Sequence, residues 1–146
     1  MTTNIATTKE QSARLLQCGV DPDTADMFYQ TPITVSQKRQ GEDVLLIKKS
    51  DATLYDTDTP AWSLITLLSL LPKEIDIDGY AYRISIYFEN PDEPVIGNQW
   101  CLYYKPKKHN EKSRIDDVPM YAPDLIECAV LMIEWLTANN YKLNQL

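Results

Sequence analysis

Histidine occurs once in this 146-residue chain, and glycine four times, never two together. The lone histidine, His109, lies in KPKKHNEKSR among cations. It has no apolar surroundings to orient it as a general base, so it reads as a solvated loop residue, not as half of a Ser-His-Asp or Cys-His pair. Glycines scattered singly cannot build a loop that wraps a nucleotide phosphate with backbone N–H groups. The three cysteines, Cys18, Cys101 and Cys128, are odd in number and widely spaced, with no CxxC pair. A disulfide framework and a zinc site are both excluded on that count, and reduced, buried thiols in a cytoplasmic protein are expected. No cofactor or metal is implied.

Positive charge is also in short supply. Fourteen lysines and arginines face 21 acids, a net charge of −7. Non-specific attraction of the whole molecule to nucleic acid or to an anionic membrane is therefore disfavoured. The first ten residues, MTTNIATTKE, lack the basic and apolar regions of a secretory signal. Long hydrophobic runs are missing too. The longest charge-free one, TPAWSLITLLSLLP from Thr59 to Pro72, offers a helix of about 12 residues or about 18 Å, against the roughly 30 Å of a bilayer core. No membrane span is expected.

What remains is an ordinary globular composition, 44% apolar and 24% charged, with enough chain for one domain over residues 1–146. Thr8 and Gln11 form a capping box for a first helix that Gly19 stops, with Val20 folding back on Leu15. Asp21 and Pro22 start a second, short helix running to about Tyr29. ITVSQ and VLLIKK read as a hairpin around a polar loop. Thr59 as cap and Pro60 as first residue open a third helix, which Pro72 ends. On a helical wheel Ala61, Leu64, Ile65, Leu67, Leu68 and Leu71 share one arc, with Trp62 on the opposite, hydroxyl-bearing side.

Asp78-Gly79 is a two-residue hairpin turn pairing Ile77 with Tyr80 and Ile75 with Tyr82. Alternation then puts Tyr80, Tyr82, Ile84, Ile86 and Phe88 on a buried face. QWCLYYK continues as a strand with Trp100, Leu102 and Tyr104 inward. A last, strongly apolar helix begins near Asp124 and stops at Asn139 or Asn140, with Glu127 and Glu134 marking its wet side. The pattern predicts an α+β domain: an antiparallel sheet of about five strands, two main helices on one face, and an N-terminal helical pair at one end.

Four local features bear on function. In DTDTP, Asp56 and Asp58 carry the spacing of a phosphatase nucleophile and acid, but no parallel βαβ frame surrounds them; a polar loop leading into a helix is the better reading. DPDTAD, Asp21 to Asp26, lacks the glycine and the closing carboxylate of a calcium loop. A helix-turn-helix over the first two helices would present Asp21, Asp23 and Asp26 to phosphates. From Trp100 to Arg114, aromatics precede Lys105, Lys107, Lys108, Lys112 and Arg114, and with Glu111 the loop carries about +4. Of the aromatics, Tyr103 alone is in phase with an outward face beside the lysines.

TKEQSARLLQCGVDPDTADM, PAWSLITLLSLLP and CAVLMIEWLTANNY together resemble a family of small uncharacterised proteins common in gut Bacteroidales, their phages and other mobile elements. The resemblance implies intracellular expression and an accessory role, with no catalytic residue to carry over. The expectation is a non-enzymatic interaction protein with a protein partner or self-association, and Trp62, Tyr103, Lys105, Lys107 and Lys108 as candidate contacts. Nucleic-acid binding by the 105–114 loop is the lesser alternative, and a small hydrolase using Asp56 and Asp58 the least.

Overall fold

The computed structural model describes residues 5–30, 45–48, 58–88, 99–108 and 118–146. In chain order these hold helix α1 (Lys9–Gln17), a 3-10 turn (Pro22–Thr24), strands β1 (Met27–Gln30), β2 (Leu45–Lys48) and β3 (Thr59–Ala61), helix α2 (Leu64–Leu70), strands β4 (Glu74–Ile77), β5 (Tyr80–Phe88), β6 (Trp100–Pro106) and β7 (Val118–Ala122), and helix α3 (Leu125–Ala138). The fold is α+β. Its strands form two antiparallel sheets, one of three strands ordered β2-β1-β3 and one of four ordered β4-β5-β6-β7, where a single sheet of five was expected. No helix among the described residues is long and apolar enough to cross a membrane.

The ends of α1 follow from its sequence. The Thr8 side chain accepts from the Gln11 N–H and the Gln11 side chain accepts from the Thr8 N–H, a complete capping box. At the other end Gly19 takes φ +89°, its N–H donates to the Leu16 carbonyl, and the Val20 N–H donates to Leu15. That is a Schellman turn, and Val20 and Leu15 enter the core together. Helix α3 closes the same way with asparagine in glycine's place: Asn140 sits at φ +65°, its N–H reaches the Thr137 carbonyl, and the Tyr141 N–H reaches Leu136.

The second helix is one turn of 3-10 instead of a run to Tyr29. Tertiary contacts claim its continuation. The Asp26 carboxylate accepts the Ser63 N–H at 2.8 Å, and Met27 to Gln30, rich in strand-forming aromatics, become the middle strand of the smaller sheet. The strand Leu45–Lys48 pairs with β1; its expected partner ITVSQ lies outside the described residues.

The charge-free helix begins at Leu64, not at Pro60. Thr59, Pro60 and Ala61 pair with Tyr29, Phe28 and Met27 as an edge strand, where a proline without an N–H is tolerated. Ser63 is then the cap. With this start Ile65, expected on the apolar arc, is exposed, and Leu70 is buried. Asn144 covers the helix's other end. Its N–H donates to the Leu70 carbonyl at 2.8 Å, and its side-chain amide donates to Ser69 and Leu71 at 3.1 and 3.0 Å. Carbonyls that no helical N–H reaches are thereby satisfied by the chain's own C-terminal segment.

The core lies between the four-stranded sheet and the helices. Tyr82, Leu102, Tyr104, Val118 and Ala122 point inward and meet the buried stripe of α3 and residues Leu67, Leu70 and Leu71. The Tyr104 hydroxyl donates to the Pro72 carbonyl at 2.6 Å. The inward face of β5 is covered over only half its length, so Ile86 and Phe88 remain exposed where full burial was expected.

Glu127 and Glu134 are not a wet side. Both face α1, where the Arg14 guanidinium bridges them, and their hydrogen bonds and charge push its pKa further up. Seven residues is two helical turns, so the two carboxylates sit in line and one arginine spans them. Trp62 is covered from the N-terminal side. It is 0% exposed, its indole N–H donates to the Thr24 hydroxyl at 2.9 Å, and Leu15, Val20 and Ala25 belong to the same cluster.

Candidate binding face

Among the described residues, the helices pack on one face of the four-stranded sheet and not on the other. Side chains alternate along a strand, so the register fixes which residues share that second face. Three rows cross it: Tyr87, Cys101 and Tyr121; then Ser85, Tyr103 and Pro119; then Arg83 and Lys105, with Glu74 of the edge strand beside Arg83. Tyr87 and Tyr121 are 38% and 39% exposed, Tyr103 is half-buried, and Cys101 is buried beneath them. The Tyr87 and Tyr103 rings meet edge to face at 5.2 Å between centroids. A hydrogen bond to Tyr121, then burial, then a hydrogen bond to Cys101 raise the Tyr87 pKa. The Tyr87 hydroxyl is therefore held in place by its neighbours on the face.

The cations adjoin that cluster. Arg83, Lys105, Lys107 and Lys108 are exposed. Lys107 meets Glu74 at 3.0 Å and Arg83 meets the same carboxylate at 3.5 Å. The Lys107 ammonium, with Arg83 behind it, holds the Glu74 pKa below the usual carboxylate range. Among the described residues, the acids of this face, Glu74 and Asp76, lie on β4, on the side away from Tyr121. Lys105 is thus the cation nearest the aromatic rows.

Of the contacts expected from sequence, Tyr103 and Lys105 come together on this face, Lys107 sits at its acidic edge, and Lys108 follows as an exposed residue. Trp62 is elsewhere, inside the core, and presents no surface to a partner. Asp56, His109, Glu111, Lys112 and Arg114 lie outside the described residues, while Asp58 is half-buried just ahead of β3. The helix-turn-helix alternative loses its second helix to the 3-10 turn. Asp21 and Asp26 serve as backbone caps for Asp23 and Ser63, and no cluster of three metal-capable side chains occurs among the described residues.

Three members of the face were missed in the sequence. Tyr87 and Arg83 follow from the same alternation that placed Tyr82 inward, had its outward half been read as a surface. Tyr121 depends on β7, whose VPMYA carries a proline and resembles a loop. A cleft of about 510 Å³ between Gly19 and the C-terminal segment carries Asp21 and Lys142 as its charged residues. It pairs no nucleophile with a base.

None of the three cysteines is in a disulfide, with Cys101 and Cys128 buried and Cys18 partly exposed. Burial pushes the Cys128 pKa up to about 11, so little thiolate forms at pH 8. An aromatic disulfide reagent should consume one of the three thiols promptly and the other two only after urea unfolds the chain; three prompt thiols would contradict this packing. No family model, curated protein or solved structure matches the chain.

Proposed function

We propose that the chain is a non-enzymatic accessory protein that binds a partner on the open face of its four-stranded sheet. The observation that carries this is the gathering of Tyr87, Tyr103 and Tyr121 with Arg83 and Lys105 on the sheet face opposite the described helices. Exposed tyrosine beside arginine is the composition of binding hot spots, whereas a face meant only for water has no use for three aromatic rings. The lone histidine in a cationic loop and the catalytically bare cleft favour binding over catalysis. Three unbridged cysteines, two of them buried, suit a reducing cytoplasm, in keeping with the phage or mobile-element context that the sequence resemblance suggests.

The test is recovery of partners from cells that make the protein, with wild type compared against Tyr121→Ser and Lys105→Glu. Both sites are exposed, so each change should leave folding stability within about 0.5–1 kcal/mol while depleting the recovered partner. Unchanged recovery from both variants would remove the face from consideration.

A further inference from the structure

We propose that the occupant of this face is a single-stranded nucleic acid, its bases stacked on Tyr103 and Tyr121 and its phosphates on Lys105 and Arg83; this rests on the open face being the binding surface. The sequence alone favoured a protein partner, because the basic stretch looked like a solvated loop in an acidic chain. The register changes that weighting. Tyr103 and Lys105 are outward neighbours on β6, and Arg83 lies directly across from Lys105 on β5. Same-face neighbours along a strand are about 7 Å apart, so a base on the Tyr103 ring leaves its backbone within reach of the cation row. Tyr121 stands across β6 from Tyr87, one row further along, and extends the aromatic track.

Tyrosine rings suit stacking, since every base offers a π-face and sequence need not be read. A four-stranded antiparallel sheet with aromatics on its open face is a geometry that accommodates two or three unstacked bases. A duplex keeps its bases inside and would leave the tyrosines without a partner. It would also bring a denser line of phosphates against a chain of net charge −7. An acidic peptide would use Arg83 and Lys105 but would have little call on the rings. The acids Glu74 and Asp76 sit on the edge strand opposite β7, so a strand laid over β6 and β7 meets Lys105 first and comes near Glu74 only where it reaches Arg83, which that carboxylate already holds at 3.5 Å.

Fluorescence anisotropy of the full chain tests this, with labelled oligo-dT and oligo-U of about 12 nucleotides, the matching duplex, and an oligoglutamate peptide. Single strands should bind at about 50 mM salt and weaken roughly 5- to 20-fold at about 200 mM, as expected when two or three phosphates are neutralised. The duplex should bind at least about tenfold more weakly. Tyr121→Ala should cost roughly tenfold or more, and Tyr121→Phe should restore binding, because the ring and not the hydroxyl stacks. Lys105→Ser should weaken binding and flatten the salt dependence, with circular dichroism melts confirming that both variants fold.

Absence of single-strand binding at low salt would overturn the proposal, as would binding that ignores both Tyr121→Ala and Lys105→Ser. Oligoglutamate bound in place of the oligonucleotides would retain the face and reject this occupant. Silence from every probe, with partner recovery also unaffected by the variants, would reject both readings.

Discussion

Replacing Trp62 with alanine should destabilise the isolated chain by about 3–5 kcal/mol, measured as a fall in the urea midpoint at unchanged slope. The indole is fully buried against Leu15, Val20 and Ala25, and its N–H is the donor to the Thr24 hydroxyl. Truncation removes the largest fully buried side chain among the described residues and leaves a cavity that the 3-10 turn, pinned by Asp21, does not fill. Backbone contacts survive, since the Trp62 N–H donates to the Thr7 side chain and its carbonyl accepts from the Thr7 N–H. The loss is one of packing. Against a typical total of about 5–15 kcal/mol it could take a third or more of the stability. Trp62→Phe keeps most of the volume and should cost appreciably less. Had Trp62 been a contact for another molecule, the isolated chain would tolerate alanine within about 0.5 kcal/mol; that result would refute the packing described above.

Removal of residues 141–146 should cost about 5–6 kcal/mol, counting each hydrogen bond at about 1 kcal/mol and the ring stack at about the same. Asn144 supplies three donors to the end of α2. Tyr141 stacks on Trp135 at 5.5 Å and 17° and donates its hydroxyl to the Asp76 carbonyl. One segment thus ties α3, α2 and the hairpin at β4 together. The single change Asn144→Ala isolates the amide and should cost about 1–2 kcal/mol. Asn144→Asp is the sharper experiment. It replaces the donor with an acceptor facing the Ser69 and Leu71 carbonyls, so at neutral pH it should be worse than alanine. The excess should fade as pH falls through the range where the new carboxyl is protonated. Equal stabilities of Asn144→Ala and Asn144→Asp at all pH values would show that the amide donors contribute nothing.

How much of this was legible before the structure depends on whether the signal was local. The capping box at Thr8, the Schellman glycine at Gly19, the Asp78-Gly79 turn and the Asp124 cap are local chemistry, and all stand where the sequence puts them. Both central residues of that turn have positive φ, as a tight hairpin demands. The failures come where two good local signals compete and a distant contact decides. Thr59-Pro60 and Ser63 are both credible helix starts. Pairing with β1 takes the first, and the Asp26 carboxylate draws the Ser63 N–H into place at the second. Likewise Glu127 and Glu134 read as solvent-facing until Arg14, more than a hundred residues away, is seen between them. The candidate face was half legible: alternation put Tyr103 outward beside Lys105, but the third tyrosine came from a strand disguised by Pro119.

The Arg14 bridge also says something about how the chain is made. Its partners lie 113 and 120 residues downstream, so α1 emerges during synthesis long before its docking helix exists. The Leu15 face can meet Trp62 once that segment is made, but no N-terminal fragment ending before Glu134 can complete the burial of the finished fold. Such long closure makes for slow folding and a transiently exposed apolar intermediate. Production of this protein should thus be limited by the interval between the birth of α1 and the arrival of α3, more than by the stability of the finished domain.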